Sequence, residues 1–164
     1  MSQSTVPLER AEIERRIPHR DPFLFVDRVL GFEYADAALG TARAPIAITG
    51  EWTVAPTRDF FQGHYPGFPV TPGVILCEHV LQTAALLLSE RGVDFEVGAG
   101  VPVLARLERA KFRRMVRPGE TVRTRVEMGE IIGPAFYLSG KASVDGRTAL
   151  ELRAAMSHAV GTPT

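Results

Sequence analysis

GHYPGFPVTPGVILCEHVLQTAALLLSER, residues 63–91, is the stretch around which the rest of the chain has to be arranged. Its second part, Thr71 to Arg91, has the composition and the boundaries of a helix. Thr71 suits the N-cap, Pro72 the first helical position and Gly92 the C-terminal stop. Val74, Ile75, Leu76, Val80, Leu81 and Ala84 through Leu88 make that helix apolar nearly all round. Such a helix must be buried on nearly all sides, and a curved sheet wrapped around it meets the demand, which predicts an α+β domain. A single sheet leaves one side of the helix uncovered, so a second subunit is expected to cover it.

The polar residues on this helix share one arc. At about 100° per residue, Gln82 lies near ~40° from Glu78, His79 near ~100° and Thr83 near ~140°. A carboxylate in so apolar a setting is either paired or functional, and burial is expected to raise its pKa enough for a proton-donating form near neutral pH. A structural i, i+4 hydrogen bond between Glu78 and Gln82 explains the same pattern. The loop before the helix favours function. Gly63 to Gly73 contains three prolines and three glycines, and such a backbone can hold His64 in one orientation. His64 and Glu78 are then a candidate base and acid beside a helix N-terminus. Pro72 lacks an N–H, so Gly73 offers one of the first unsatisfied donors, where the helix dipole favours negative charge on a carbonyl oxygen. That combination suits removal of a proton α to a thioester. His19 and His158 are read as structural.

Outward from this stretch, Leu8 to Ile17 is expected to be helical up to Pro18, Phe23 to Leu30 to be a strand, and a further strand to lie within Ala35 to Ile48. After the long helix the pattern becomes period two. Val122, Thr124, Val126 and Met128 alternate with Arg123, Arg125 and Glu127, and Val101 to Glu108 reads similarly. Pro118-Gly119 and Asp145-Gly146 mark turns, so the last half is expected to be three or four long antiparallel strands.

Composition narrows the function. Lysine and arginine balance aspartate and glutamate at 19 each, so the whole molecule has no electrostatic bias toward nucleic acid or an anionic membrane. Cys77 stands alone, which excludes an intrachain disulfide and a multi-cysteine metal site. No signal peptide is visible, and the longest apolar runs, Val74 to Cys77 and Ala84 to Leu88, are too short to span a bilayer, so a soluble cytoplasmic protein is expected.

Gly63 through Val74, followed by Glu78 and Gln82, resembles the signature of the bacterial 3-hydroxyacyl-acyl carrier protein dehydratases of the hot-dog fold (FabZ/FabA-like). Ile17 through Val29 is similar to that family's N-terminal segment, and Ala110 through Glu120 to its post-helix strand and turn. The resemblance implies a single hot-dog domain over residues 8–160, with its helix at about 72–91; residues 1–7 before it are expected from their own composition to be disordered. It implies that His64 abstracts the α-proton of a 3-hydroxyacyl thioester, that Glu78 protonates the departing β-hydroxyl, and that the Gly73 N–H polarises the thioester carbonyl. Gln82, Tyr65 and Pro72 would support the site. The family needs no metal or redox cofactor, and its substrates ride on the phosphopantetheine of an acyl carrier protein in fatty-acid or related polyketide or polyene biosynthesis. The histidine and acid of one site come from two subunits of a dimer, and dimers often form trimers of dimers. Glutamate at position 78 favours the plain dehydratase over the dehydratase-isomerase, which carries aspartate there. Thr71, His79, Val80 and Phe68 depart from the family's pattern beside the site.

Two rivals stand beside this reading. A hot-dog thioesterase would use a helix carboxylate and water but would not need His64, and a non-catalytic dehydratase-like subunit would need neither residue. Arg106, Arg109, Lys111, Arg113, Arg114 and Arg117 form a basic cluster with only Glu108 opposing it. Arg109, Lys111 and Arg113, with Arg117 at the following turn, are expected to dock the acidic carrier protein, while Arg106 and Arg114 take the other face of a regular strand. A solvated strand edge is the alternative.

Overall fold

The computed structural model describes the backbone of residues 2–4, 7–35, 44–93 and 101–159, and the side chains of 7–35, 44–93 and 101–157. In chain order the elements are β1 (Ser2–Ser4), α1 (Arg10–Arg16), β2 (Arg28–Tyr34), β3 (Pro45–Thr53), α2 (Phe60–Gly63), α3 (Gly73–Glu90), β4 (Val101–Phe112), β5 (Thr121–Ile132), β6 (Ala135–Val144) and β7 (Arg147–Ala159). The strands form one antiparallel sheet in the order β1-β2-β3-β5-β6-β7-β4, and α3 packs against β3 through β7.

The late strands follow their alternation. Val122, Thr124 and Val126 of β5 are buried beneath α3, while the arginines between them face out. Asp145 and Gly146 both have positive φ, 49° and 73°, as a tight hairpin between β6 and β7 requires. Gly140 on β6 leaves room for the helix, since a Cβ there would stand 2.3 Å from Val80 Cγ1. β4 departs from the pattern: at the sheet edge, its alternating residues are exposed on both faces over most of its length.

Four expectations need correction. Ser2–Ser4, within the stretch expected to be disordered, pairs with Phe32–Tyr34, because the free edge of β2 offers unpaired backbone groups. The strand expected from Phe23 begins only at Arg28. Phe23 to Asp27 lies outside any strand, and helix side chains take the Phe23 carbonyl and both backbone groups of Phe25. The helix starts one residue late: Thr71 donates its N–H to the Val116 carbonyl at 2.8 Å, Pro72 becomes the N-cap and no side chain caps the end. Gly92, at φ 83°, ends it as expected.

The fourth correction concerns cover for α3. Ile13 and Ile17 of the N-terminal region, with Leu24 and Phe25, join Leu76, Val80 and Leu86 to Leu88 in one core. One chain therefore buries the helix from Leu76 to Leu88, apart from Glu78. Only its first turn is open, with Val74 74% exposed. Gly73–Glu90 is long and apolar enough to cross a membrane, but most of it is already enclosed by its own sheet.

Candidate active site

The loop from α2 into α3 fixes His64. Its backbone N–H ends α2 on the Phe60 carbonyl at 2.9 Å, and its Nδ1 lies 2.8 Å from the Val70 carbonyl oxygen. A carbonyl only accepts, so Nδ1 carries the proton and Nε2 keeps a lone pair for use as a base. Tyr65 turns back at φ 61°, placing its ring 4.4 Å from the imidazole. Phe68 lies under the Arg117 guanidinium at 4.8 Å.

Glu78 faces a cavity of about 230 Å³ whose other walls include Leu81 and Ala85 of α3, Val103 and Leu104 of β4 and Met156 of β7. Its side chain is 24% exposed. Oε1 accepts a hydrogen bond from Gln82 Nε2 at 2.9 Å and faces His19 Nε2 at 3.5 Å. The Gln82 amide cannot be flipped: its Oε1 accepts the Phe25 N–H at 2.7 Å, and its Nε2 also donates to the Phe23 carbonyl at 3.0 Å. Burial pushes the Glu78 carboxyl up, but His19 and Gln82 outweigh it and leave the group below its ordinary value. That reverses the expected upward shift, because two donors stabilise the charged form inside the cavity.

Gly73 is the first residue of α3, and its N–H has no acceptor within the helix. A Cβ there would come 2.8 Å from the Phe112 ring, so in this structure the open space at Gly73 is taken by Phe112. Thr71 Oγ1 is buried beside this helix start with no hydrogen-bond partner.

The remainder of the helix's polar arc has a different setting. His79 is fully buried, with Nδ1 2.7 Å from the Phe25 carbonyl and Nε2 2.8 Å from Thr124 Oγ1. Burial pushes its pKa down to about 4, so it is neutral at physiological pH. Thr83 donates to the His79 carbonyl at 2.8 Å. His79 and Gln82 thus take both backbone groups of Phe25 in place of a neighbouring strand.

The structure brings Glu78 and Gln82 together as anticipated. His64 does not line the Glu78 cavity, and His19, read from sequence as structural, does. The sign that marks His19 was available: it stands in Ile17-Pro18-His19-Arg20-Asp21-Pro22, between two prolines, as His64 stands in its own rigid loop. In the basic cluster, β-bulges around Arg106 and Glu108 put Arg106 opposite Ala155 and Arg109 opposite Arg153. Arg106 therefore joins the face of Arg109 and Lys111, contrary to expectation for a regular strand. Arg113 pairs with Glu151 at 3.0 Å, and Arg114 with Glu120.

A family model described as a FabA-like domain matches residues 17–153 of this chain. The chain belongs to the FabA-like family. It is 37% identical to a 3-hydroxyacyl-[acyl-carrier-protein] dehydratase FabZ from Caulobacter sp. (strain K31), over 92% of each sequence. A FabZ from Staphylococcus haemolyticus is 34% identical, over 84% of this chain and 86% of its own. Within the family, the chain is thus of the FabZ type. Among solved structures, the dehydratase heterocomplex ApeI:P from Xenorhabdus doucetiae superposes with a TM-score of 0.64 at 12% identity, over 90% of each chain. That likeness concerns the fold alone, which is the hot-dog fold. Among the described residues, no three or more histidine, cysteine, aspartate or glutamate side chains are grouped to hold a metal ion.

Proposed function

We propose that this protein dehydrates 3-hydroxyacyl thioesters on acyl carrier protein to trans-2-enoyl thioesters, in fatty-acid biosynthesis. One observation carries the reading: a histidine whose basic nitrogen and a carboxylate whose second oxygen are free among the described residues, in a FabZ-type chain. His64 Nε2 takes the α-proton, and the C–H electron pair becomes the new double bond as the β C–O bond breaks. Glu78 gives its proton to the departing hydroxyl, which leaves as water. The thioester oxygen gains negative charge during this step, and the Gly73 N–H at the start of α3 stabilises it. Without substrate Glu78 is a carboxylate. Substrate filling the cavity removes its remaining water and favours the protonated form. His64 then loses its proton to solvent and Glu78 regains one. These steps call for no metal or redox cofactor.

The working unit in this proposal is a homodimer, with trimers of dimers as the larger assembly, in which His64 of one chain completes the Glu78 cavity of the other. The absence of His64 from the cavity lining supports it, as does β4, an edge strand exposing Val103, Leu104 and Leu107. Arg109 and Lys111, with Arg106, Arg113 and Arg117, dock the carrier protein, and the cytoplasm is the compartment. Incubating the purified chain with a 3-hydroxyacyl thioester tests the reaction. Enoyl absorbance should rise without free thiol. Thiol release would instead identify a thioesterase, and no reaction with any acyl length would identify a non-catalytic subunit.

A further inference from the structure

The cavity that holds Glu78 also holds His19, and the chemistry above makes no use of it. His19 is not loosely placed. Pro18 restricts the backbone before it, and the Arg20 guanidinium donates to the carbonyls of Ile17 and His19 at 2.8 and 2.7 Å. Its ring is 28% exposed, with Nε2 turned to Glu78 Oε1 and Nδ1 buried without a hydrogen-bond partner.

The two oxygens of Glu78 are therefore unequal. Oε1 faces both Gln82 and His19, whereas no described residue holds Oε2. Gln82 cannot turn away, because both ends of its amide are engaged by the Phe23–Phe25 backbone. No other cavity wall competes: Pro18 and the lining residues of β4 and β7 carry no titratable group, nor do Leu81 and Ala85 on α3 itself.

We infer that His19 is a positioning residue for Glu78: together with Gln82 it holds Oε1 against the cavity wall and reserves Oε2 for proton exchange with the substrate's β-hydroxyl. It also sets the pH at which that exchange is available. This inference rests on Glu78 being the acid proposed above.

The experiment follows hydration of the trans-2-butenoyl N-acetylcysteamine thioester and dehydration of its 3-hydroxybutanoyl counterpart over the pH range in which the protein stays folded. His19→Leu should lower kcat in both directions by about 10- to 100-fold, as misplacement of a reacting group does, with little change in KM. It should also move the acid limb of hydration and the alkaline limb of dehydration to higher pH, since the cavity remains but a donor to the carboxylate is gone. His19→Gln, which keeps a donor of similar reach, should recover much of kcat while its limbs still lie above those of the wild type. Unmoved limbs in either folded variant would overturn the inference, as would His19→Gln being as slow as His19→Leu. Glu78→Gln run in parallel separates the two ideas. Full activity there overturns the acid assignment, whereas lost activity there with unmoved His19 limbs overturns only the role of His19.

Discussion

Glu78 and His79 are neighbours on one helix, and their surroundings make opposite use of a titratable side chain. His79 has both ring nitrogens engaged, no exposure and a neutral charge state fixed by burial. One ring nitrogen serves the Phe25 carbonyl, outside the sheet, and the other the Thr124 hydroxyl of β5. Glu78 faces an apolar-walled cavity with one oxygen held and the other held by no described residue. A buried polar group with every bond made contributes to the structure, while one with a valence left open toward a cavity is available for chemistry.

Exchanging the two residues' fates separates these roles. Glu78→Gln keeps the size of the side chain and removes its proton chemistry, so dehydration should fall by about 10²- to 10⁴-fold with the fold intact. His64→Ala should do the same. Turnover of either folded variant within a few-fold of wild type, in a steady-state enoyl assay, would remove that residue from the mechanism.

His79→Leu should show the reverse. It strands the Phe25 carbonyl and the Thr124 hydroxyl, costing about 3 kcal/mol at neutral pH, while activity per folded molecule stays near normal. The folded protein keeps His79 neutral down to about 4, whereas the unfolded chain takes up its proton near 6.5. Between those values the unfolded state binds more protons, so the stability associated with His79 is present above 6.5 and is lost as pH falls toward 4. Denaturant titrations should therefore show wild type and variant converging on acidification. A gap that stays constant across that window would mean His79 is not held neutral.

Gly73→Ala probes the helix start, ahead of both residues. The new methyl must displace the Phe112 ring, at about 1–3 kcal/mol, and it crowds the proposed carbonyl site. Shortening the ring in the double variant with Phe112→Leu should restore stability but not kcat. Recovery of both would show that the carbonyl site does not require the bare Cα of Gly73. The smallest effect is expected at the far end of α3, where Glu90 joins Arg16 of α1 to the Tyr34 hydroxyl. Glu90→Gln should cost about 1 kcal/mol in unfolding experiments and leave kcat alone.

The same contrast explains what could be read from sequence. The helix, the β5 alternation and the Asp145-Gly146 hairpin are local patterns, and each stands within a residue or so of where it was expected. Phe23 to Val26 has the composition of a strand but lies outside any strand, and the partners of Phe25 are Gln82 and His79, nearly sixty residues away. No local pattern reports that. The downward shift at Glu78 was hidden for the same reason: burial follows from the helix pattern, but the opposing donor His19 reaches the cavity only through the fold. Edge position, equally non-local, accounts for the exposure of β4. His64 and Glu78 stand out in the sequence as candidates because a rigid loop and a lone carboxylate are visible one residue at a time. How they meet is not a local property either, because His64 is absent from the cavity that contains Glu78 within one chain.

Mixing two inactive proteins tests that meeting directly. His64→Ala and Glu78→Gln chains, co-refolded in equal amounts, should form mixed dimers in which one of the two sites combines an intact His64 with an intact Glu78. Random pairing then predicts about a quarter of wild-type dehydratase activity, from parents that are each nearly inactive. Mixed dimers verified by mass that show no more activity than the parents would contradict a site shared between chains.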